Sequence, residues 1–372
     1  MGWKAATAAM AIAVLASGCG PSPGPVGEDL QVRLGDWVSD ARIDRPDLPG
    51  RVPTVVLVHG TGPRDRSGAV EGVDGAVRSR IFDDIARYLS ARGIAVVRYD
   101  KRYVRGRGNL DQRFATLTQR QMVDDIGAVV QAATARDPHL DPDRVFLYGW
   151  SEGTAVAAEY AATHPEVAGL VLQAGVNVGW RDGLLYQGLR TAVPYLDRYA
   201  SAGRIGADGL GRAWRGGGGL AAKEWITFLA PRAADGDPTP DRRFDRNGDG
   251  AIDLRGELEP ALPSFVDALL APDAPLAGFG PGRGLLPVTE QAPRLPMPVL
   301  ALQGLEDGNV PPDSARALDA ALGRAGNPDH ALRLYPGLGH SLGDAASPSD
   351  DDMLPIRDAP LADVADWLRR HS

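Results

Sequence analysis

Val145-Phe146-Leu147-Tyr148-Gly149-Trp150-Ser151-Glu152-Gly153 is an apolar run that ends in Gly-x-Ser-x-Gly and leads into an alanine-rich stretch. The run has the composition of a buried strand and the stretch after it predicts a helix, so the residues between them form a tight strand-to-helix turn. A serine hydroxyl attacks a carbonyl only when it is held clear of the fold, beside a base, and faced by N–H donors. Such a turn supplies that exposure, and it requires small residues on both sides because the backbone closes on itself. Gly149 and Gly153 are those residues, Ser151 is the candidate nucleophile, and the backbone N–H of Glu152 at the helix start is a candidate oxyanion donor. In a chain with 46 glycines the pentapeptide alone says little; the strand before it and the helix after it carry the inference.

Six histidines are available as the base: His59, His139, His164, His330, His340 and His371. After this kind of turn the order along the chain is serine, carboxylate, histidine. His59 and His139 precede the serine, His164 ends the helix that follows it, and His371 adjoins the terminus. His330 lies just ahead of an apolar run at 331–335. His340 stands in Tyr335-Pro336-Gly337-Leu338-Gly339-His340-Ser341, a glycine loop directly after a strand, and is the candidate base. The apolar run Pro298-Val299-Leu300-Ala301-Leu302-Gln303-Gly304 leads into Leu305-Glu306-Asp307-Gly308, and Asp307 is the candidate acid. Glu306 is its rival, since adjacent side chains in an extended loop point opposite ways. A second oxyanion donor is expected after an earlier strand, Pro53-Thr54-Val55-Val56-Leu57-Val58, at the backbone N–H of Thr61, with His59 structural.

These stretches resemble the α/β-hydrolase superfamily, in particular bacterial esterases of the dienelactone-hydrolase-like and S9/S33-peptidase-like branch. The resemblance rests on His59-Gly60-Thr61-Gly62-Pro63-Arg64-Asp65-Arg66, on Arg98-Tyr99-Asp100-Lys101-Arg102 and on the Ser151 turn, and it extends to the Asp307 and His340 segments. It implies an α/β-hydrolase fold and a serine hydrolase acting on carboxylic esters through a Ser151–Asp307–His340 triad, with an amidase or exopeptidase on the same triad as the alternative. Thr154 stands where many relatives carry a second glycine, and the serine nucleophile excludes the cysteine-based dienelactone activity. Asp100, Lys101 and Arg102 are expected to anchor loops.

The rest of the chain agrees with an α/β class. Helical spacing at 82–89, a strand at 94–99, a helix at 122–133 and a strand at 168–173 predict a mostly parallel sheet covered by helices on both faces, with its site at the carboxyl ends of the strands. The core is expected at 30–175 and 296–372. Residues 176–295 interrupt the alternation and are too long for an ordinary connection, so they predict an inserted helical lid. Its aromatic residues Trp180, Tyr186, Tyr195, Trp214 and Trp225 are expected mainly to pack the lid, with lining of a substrate pocket as the alternative. Within it, residues 245–257 resemble an EF-hand calcium loop, with Asp245, Asn247 and Asp249 at alternate positions and Asp253 beyond. Gly256 occupies the twelfth position and Glu257 the thirteenth, so either a one-residue bulge brings Glu257 in or Asp253 and water complete the shell. The ion would be structural, and catalysis is expected to need no cofactor.

The first 19 residues fit a secretory signal: Lys4, an apolar run at 5–16 too short to span a membrane, and Leu15-Ala16-Ser17-Gly18-Cys19, which resembles a bacterial lipobox. Cys19 is the only cysteine and is the expected lipidation site. Residues 20–29 would tether an exported enzyme to a bacterial membrane. A net charge of −8 argues against nucleic acid, leaving a small ester, amide or peptide as the expected substrate. A different class, a calcium-stabilised surface lipoprotein without catalysis, would require the triad residues to be idle.

Overall fold

The computed structural model describes residues 25–372, so the signal segment, Cys19 and most of the tether lie outside the described residues. Eight strands form the central sheet: β1 (Val26–Leu34), β2 (Trp37–Arg45), β3 (Val52–Val58), β4 (Ala95–Tyr99), β5 (Leu140–Trp150), β6 (Gly169–Gln173), β7 (Val299–Gly304) and β8 (His330–Tyr335). Their order is β1-β2-β4-β3-β5-β6-β7-β8. From β4 onward every pairing is parallel, while β1–β2 and β2–β4 are antiparallel. Among the described residues no helix is long and apolar enough to cross a membrane.

The apolar runs found in the sequence are continuous because both faces of the sheet are covered. Val56 and Val58 of β3 and Val145 and Leu147 of β5 pack into one core cluster. Their alternates Val55, Leu57, Phe146 and Tyr148 pack into the other. The first face receives α2 (Gln119–Arg136), α3 (Glu152–Ala161) and α7 (Asp313–Arg324). The second receives α1 (Ile81–Ser90) and the C-terminal α8 (Asp358–Arg370). Helix α2 starts three residues earlier than its apolar spacing alone predicts, because Thr118 and Gln121 form a reciprocal capping box.

The N-terminal hairpin is absent from the sequence-based expectation, which assigned 20–29 to a tether. Val26 already belongs to β1, paired with Arg45, so the tether ends before it. Gly35 and Asp36 turn the hairpin, Gly35 with φ +60°, and alternate residues Trp37, Ser39, Ala41 and Ile43 are buried.

Between β6 and β7 the chain builds a lid with its own core. Helix α4 (Ala207–Arg215), α5 (Leu220–Leu229) and α6 (Glu259–Leu269) pack Tyr195, Trp225, Phe244 and Phe265 together with aliphatic side chains. The expected limits of 176 and 295 move inward: Val176, Val288, Ala292 and Leu295 pack in the sheet's core cluster, because the chain re-enters the apolar layer before reaching β7. A two-stranded ribbon, Arg204–Gly206 with Ala251–Asp253, carries the oxygen-rich loop.

Candidate active site

Strand order sets the distances between candidate residues. Ser151 follows β5 directly, Asp307 lies three residues past β7, and His340 five past β8, so all three stand at the carboxyl edge of the sheet. Ser151 has φ 55° and ψ −122°, a conformation strained for a side-chain residue. A Cβ at Gly149 would sit 2.5 Å from the Gly153 carbonyl oxygen, and one at Gly153 would collide with the carbonyls of Val58 and His59. The turn is held by Ser151 N–H donating to Gln173 O at 2.9 Å and by Thr154, whose hydroxyl donates to Ser151 O at 2.6 Å and accepts from Val176 N–H. Thr154 therefore ties the turn to the strand-end loop after β6. Of the six side-chain residues with positive φ among those described, Ser151, Ala174, Leu342 and Met353 lie within three positions of Ser151, Gln173, His340 or Asp351. Strain is concentrated where the chemistry is.

His340 and Asp307 are both buried, and His340 Nδ1 lies 2.9 Å from Asp307 Oδ2. The carboxylate is further held by the N–H groups of Asn309 and Val310 on Oδ1, at 2.7 and 2.9 Å, and by the Gln303 amide on Oδ2 at 2.8 Å. Asp307, not Glu306, is the acid at the imidazole. Burial opposes a charge on His340, but the adjacent Asp307 carboxylate outweighs it and holds the imidazole above its ordinary range. Ser151 and His340 line the same cavity. The Ser151 hydroxyl makes no hydrogen bond among the described residues, as is common where the nucleophile–base contact tightens only around substrate.

The loop carrying Thr61 is held by a buried cation. Lys101 Nζ donates to the carbonyls of Gly60 and Gly62, at 2.9 and 3.3 Å, and to Glu152 Oε2 at 3.3 Å. Gln119 donates to the other Glu152 oxygen at 3.0 Å. Burial lowers the Lys101 pKa, against the pull of Glu152. The pair bridges the loop carrying Thr61 to the residue after the serine, and neither the Thr61 nor the Glu152 N–H is spent in a turn or cap among the described residues. Both N–H groups are thus left without a protein acceptor. Asp100 accepts from Arg66 and Gly106 N–H groups, and Arg102 pairs with buried Asp125, so both tie loops down. His59 is buried against Phe82 with Nε2 2.5 Å from Tyr99 O, and burial drives its pKa down to about 3, so it stays neutral. His139, His164, His330 and His371 make local contacts away from this site.

Asp351 has no counterpart in the sequence-based site. It is buried, with Oδ2 accepting the backbone N–H of His340 at 2.7 Å and of Gly308 at 3.0 Å. Its carbonyl accepts from Leu220 N–H at the start of lid helix α5. One residue thus joins the base loop, the acid loop and the lid. Burial, reinforced by the charge of Asp307, raises its pKa. The only sequence signal was the acidic run at 350–352, which looks like a solvated loop. The lid also grips the acid loop from above: Tyr186 OH donates to Asp307 O at 2.6 Å, Thr191 to Gly308 O at 2.9 Å, and Gln187 to Asn309 O at 3.0 Å.

The cavity over Ser151 has a volume of about 760 Å³ and lies between core and lid. The lid aromatics divide their roles: Trp180 and Trp225 line it, whereas Tyr195 is fully buried in the lid core and Trp214 packs against that core. In the 245–257 loop, a π-type turn at Leu254–Leu258 absorbs one extra residue and returns the Glu257 carboxylate to the N–H groups of Arg246, Asn247 and Asp253. Asp245 accepts from Gly248 and Gly250, Asn247 Oδ1 from Asp249, and Asp253 from Arg255 and Gly256, while Asp249 pairs with Arg204. Among the described residues no three His, Cys, Asp or Glu side chains are gathered closely enough to hold a metal ion.

Parts of the sequence match known families. Residues 67–208 match the serine aminopeptidase S33 family, and residues 284–354 match the prolyl oligopeptidase family. The esterase EstD of Thermotoga maritima is 33% identical over 146 residues, which are 35% of this chain and 32% of that protein, so the chain spans about a third of that curated relative. Proline iminopeptidase of Mycobacterium smegmatis superposes with a TM-score of 0.53 at 17% identity, over 92% of this chain and 98% of that one. An esterase of Pyrococcus furiosus gives 0.52 at 15% identity, over 93% and 91%. At such identities the two structures speak for the fold.

Two outcomes are expected at this site. Because His340 must be neutral to accept a proton and its pKa is raised, activity should climb with pH through a midpoint above the ordinary histidine value of about 6.5. Asp307→Asn should lower that midpoint and cut kcat by about 10⁴-fold; an unmoved midpoint in a pH–rate series would remove Asp307 from the imidazole. Asp351→Ala strands two buried N–H groups, at a cost of about 1–3 kcal/mol each. It should lower kcat more than it raises KM, and Asp351→Asn, which keeps an acceptor oxygen, should recover most of the loss.

Proposed function

We propose that this chain, with its α/β-hydrolase fold and its partial matches to the S33 and S9 families, cleaves carboxylic esters through an acyl-enzyme on Ser151. The observation that carries this reading is the strained turn that opens Ser151 into the same cavity as a His340 imidazole bonded to buried Asp307. Ser151 Oγ attacks the acyl carbon as His340 takes its proton. The N–H groups of Thr61 and Glu152 receive the oxyanion, and Asp307 stabilises the imidazolium. The proton passes to the leaving alcohol, and water repeats the sequence to free the acid.

Amide or peptide cleavage on the same triad is the second reading, and Glu224 favours it. This carboxylate lines the cavity from α5, as Arg64 does from the loop after β3, and a substrate ammonium would pair with it. The S33 match is named for aminopeptidases.

A panel of p-nitrophenyl esters and aminoacyl p-nitroanilides separates the readings. Ester turnover reduced by several orders of magnitude in Ser151→Ala is the expected result. Anilide cleavage that falls in Glu224→Gln would move the protein to the peptidases, and equal rates in wild type and Ser151→Ala would end both readings. Two further proposals rest on sequence spacing alone. Lipidation of Cys19 on export should appear as an acyl mass increment lost in Cys19→Ser. Structural calcium at Asp245, Asn247, Asp249, Asp253 and Glu257 should raise the melting temperature relative to chelator, and no change would dismiss it.

A further inference from the structure

A second cavity of about 530 Å³ lies against the first. The two share five lining residues, Val176, Val178, Gly179, Trp180 and Phe279, and none of the five is charged. The charged groups of the active-site cavity, Arg64 and Glu224 among them, line that cavity alone. Between the two spaces the Trp180 and Phe279 rings stack, with centroids 4.0 Å apart and planes 28° from parallel. Neither ring is fully buried. Trp180 opens the continuous helical run at 180–197 after Gly179, and Phe279 ends a single turn, Ala277–Phe279. Both rings therefore stand at the rim of the lid core, partly exposed and each at the end of its segment.

The far cavity is apolar where it is free. Leu270, Leu285 and Pro287 line it, and Leu286 beside them is 49% exposed. Its charged residues are engaged: Arg181 pairs with Asp267 at 2.6 Å, and Arg283 donates to Pro272 O at 2.9 Å. Whatever passes the aromatic pair must be apolar, must be continuous with a group held at Ser151, and must gain by leaving water. An unbranched hydrocarbon chain meets all three conditions, and a polar alcohol or a peptide does not.

We propose that the second cavity is the distal half of an acyl-chain site, with Trp180 and Phe279 as the gate that a fatty acyl chain displaces. The proposal rests on the ester reading and narrows it to esters of medium and long acyl chains. The carbonyl carbon stays at Ser151 and the proximal methylenes lie along the Val176–Trp180 wall. Once the chain passes the gate, each further methylene leaves water for apolar protein, worth roughly fourfold in kcat/KM per methylene.

The test is a chain-length series of p-nitrophenyl esters from acetyl to hexadecanoyl, read as the ratio of kcat/KM for dodecanoyl over butanoyl ester. Ala271→Trp fills the far cavity from a residue that lines only that cavity; it should lower the ratio at least tenfold. Trp180→Ala removes half of the gate and should raise it. A ratio unchanged in both variants, with butanoyl ester still hydrolysed, overturns the subsite and leaves the ester reading intact. If the wild type turns over no ester, that reading falls, and the subsite is judged by calorimetric binding of dodecanoate: weakening at least tenfold in Ala271→Trp supports it, equal binding overturns it.

Discussion

The arrangement around Ser151 follows from one backbone constraint: a residue with a side chain is held at positive φ between a strand and a helix. That conformation is costly, on the order of 1–3 kcal/mol, and persists only where the surroundings over-determine it. They do so here with few parts. Two glycines leave no room for a Cβ, a strand-end carbonyl takes the serine N–H, and a threonine hydroxyl closes the turn. Gly60 of the oxyanion loop comes so close that an added Cβ would lie 3.1 Å from Ser151 Cβ. The same tightness that strains the serine thus brings the loop carrying Gly60 and Thr61 against it.

Buried charge then does what packing cannot. Lys101 has no apolar reason to lie beneath the oxyanion loop; it is there because two carbonyls and the Glu152 carboxylate satisfy its donors. Breaking one partner would leave the other charged and buried, which is far costlier than the pair is worth. On the opposite side of the site, Asp307 and Asp351 are both buried, yet they do different work. Asp307 meets the His340 imidazole, whose charge it favours, whereas Asp351 meets only backbone N–H groups.

The architecture was legible in the sequence wherever apolar runs were flanked by glycine, since β3, β4, β6, β7 and the second half of β5 are buried on both faces and only the edge strand β8 is partly exposed. The hairpin of β1 and β2 was not, because its strands alternate and β1 is largely exposed, so it resembles a polar leader. Its Gly35-Asp36 turn was a usable signal. For the candidate site, the order serine, acid, histidine and the strand ends pointed to Ser151, Asp307 and His340, which the structure places at one edge of the sheet with Asp307 bonded to His340. Asp351 was illegible for a physical reason: its partners are backbone N–H groups brought together from residues 308 and 340, and no side-chain pattern records such a meeting. Gln173 and Gln303 were visible as strand ends, but their hydrogen bonds to His340 O and Asp307 arise only once neighbouring strands are in register.

Three hydrogen bonds from Tyr186, Thr191 and Gln187 reach the carbonyls of Asp307, Gly308 and Asn309. The lid is therefore not a cover laid over a finished catalytic centre. Grafting another lid onto this core would exchange the roof of the acid's own loop along with the substrate pocket. Selectivity and catalytic competence are inherited together in such a design, and the parts free to diversify are those beyond the Tyr186–Thr191 seam.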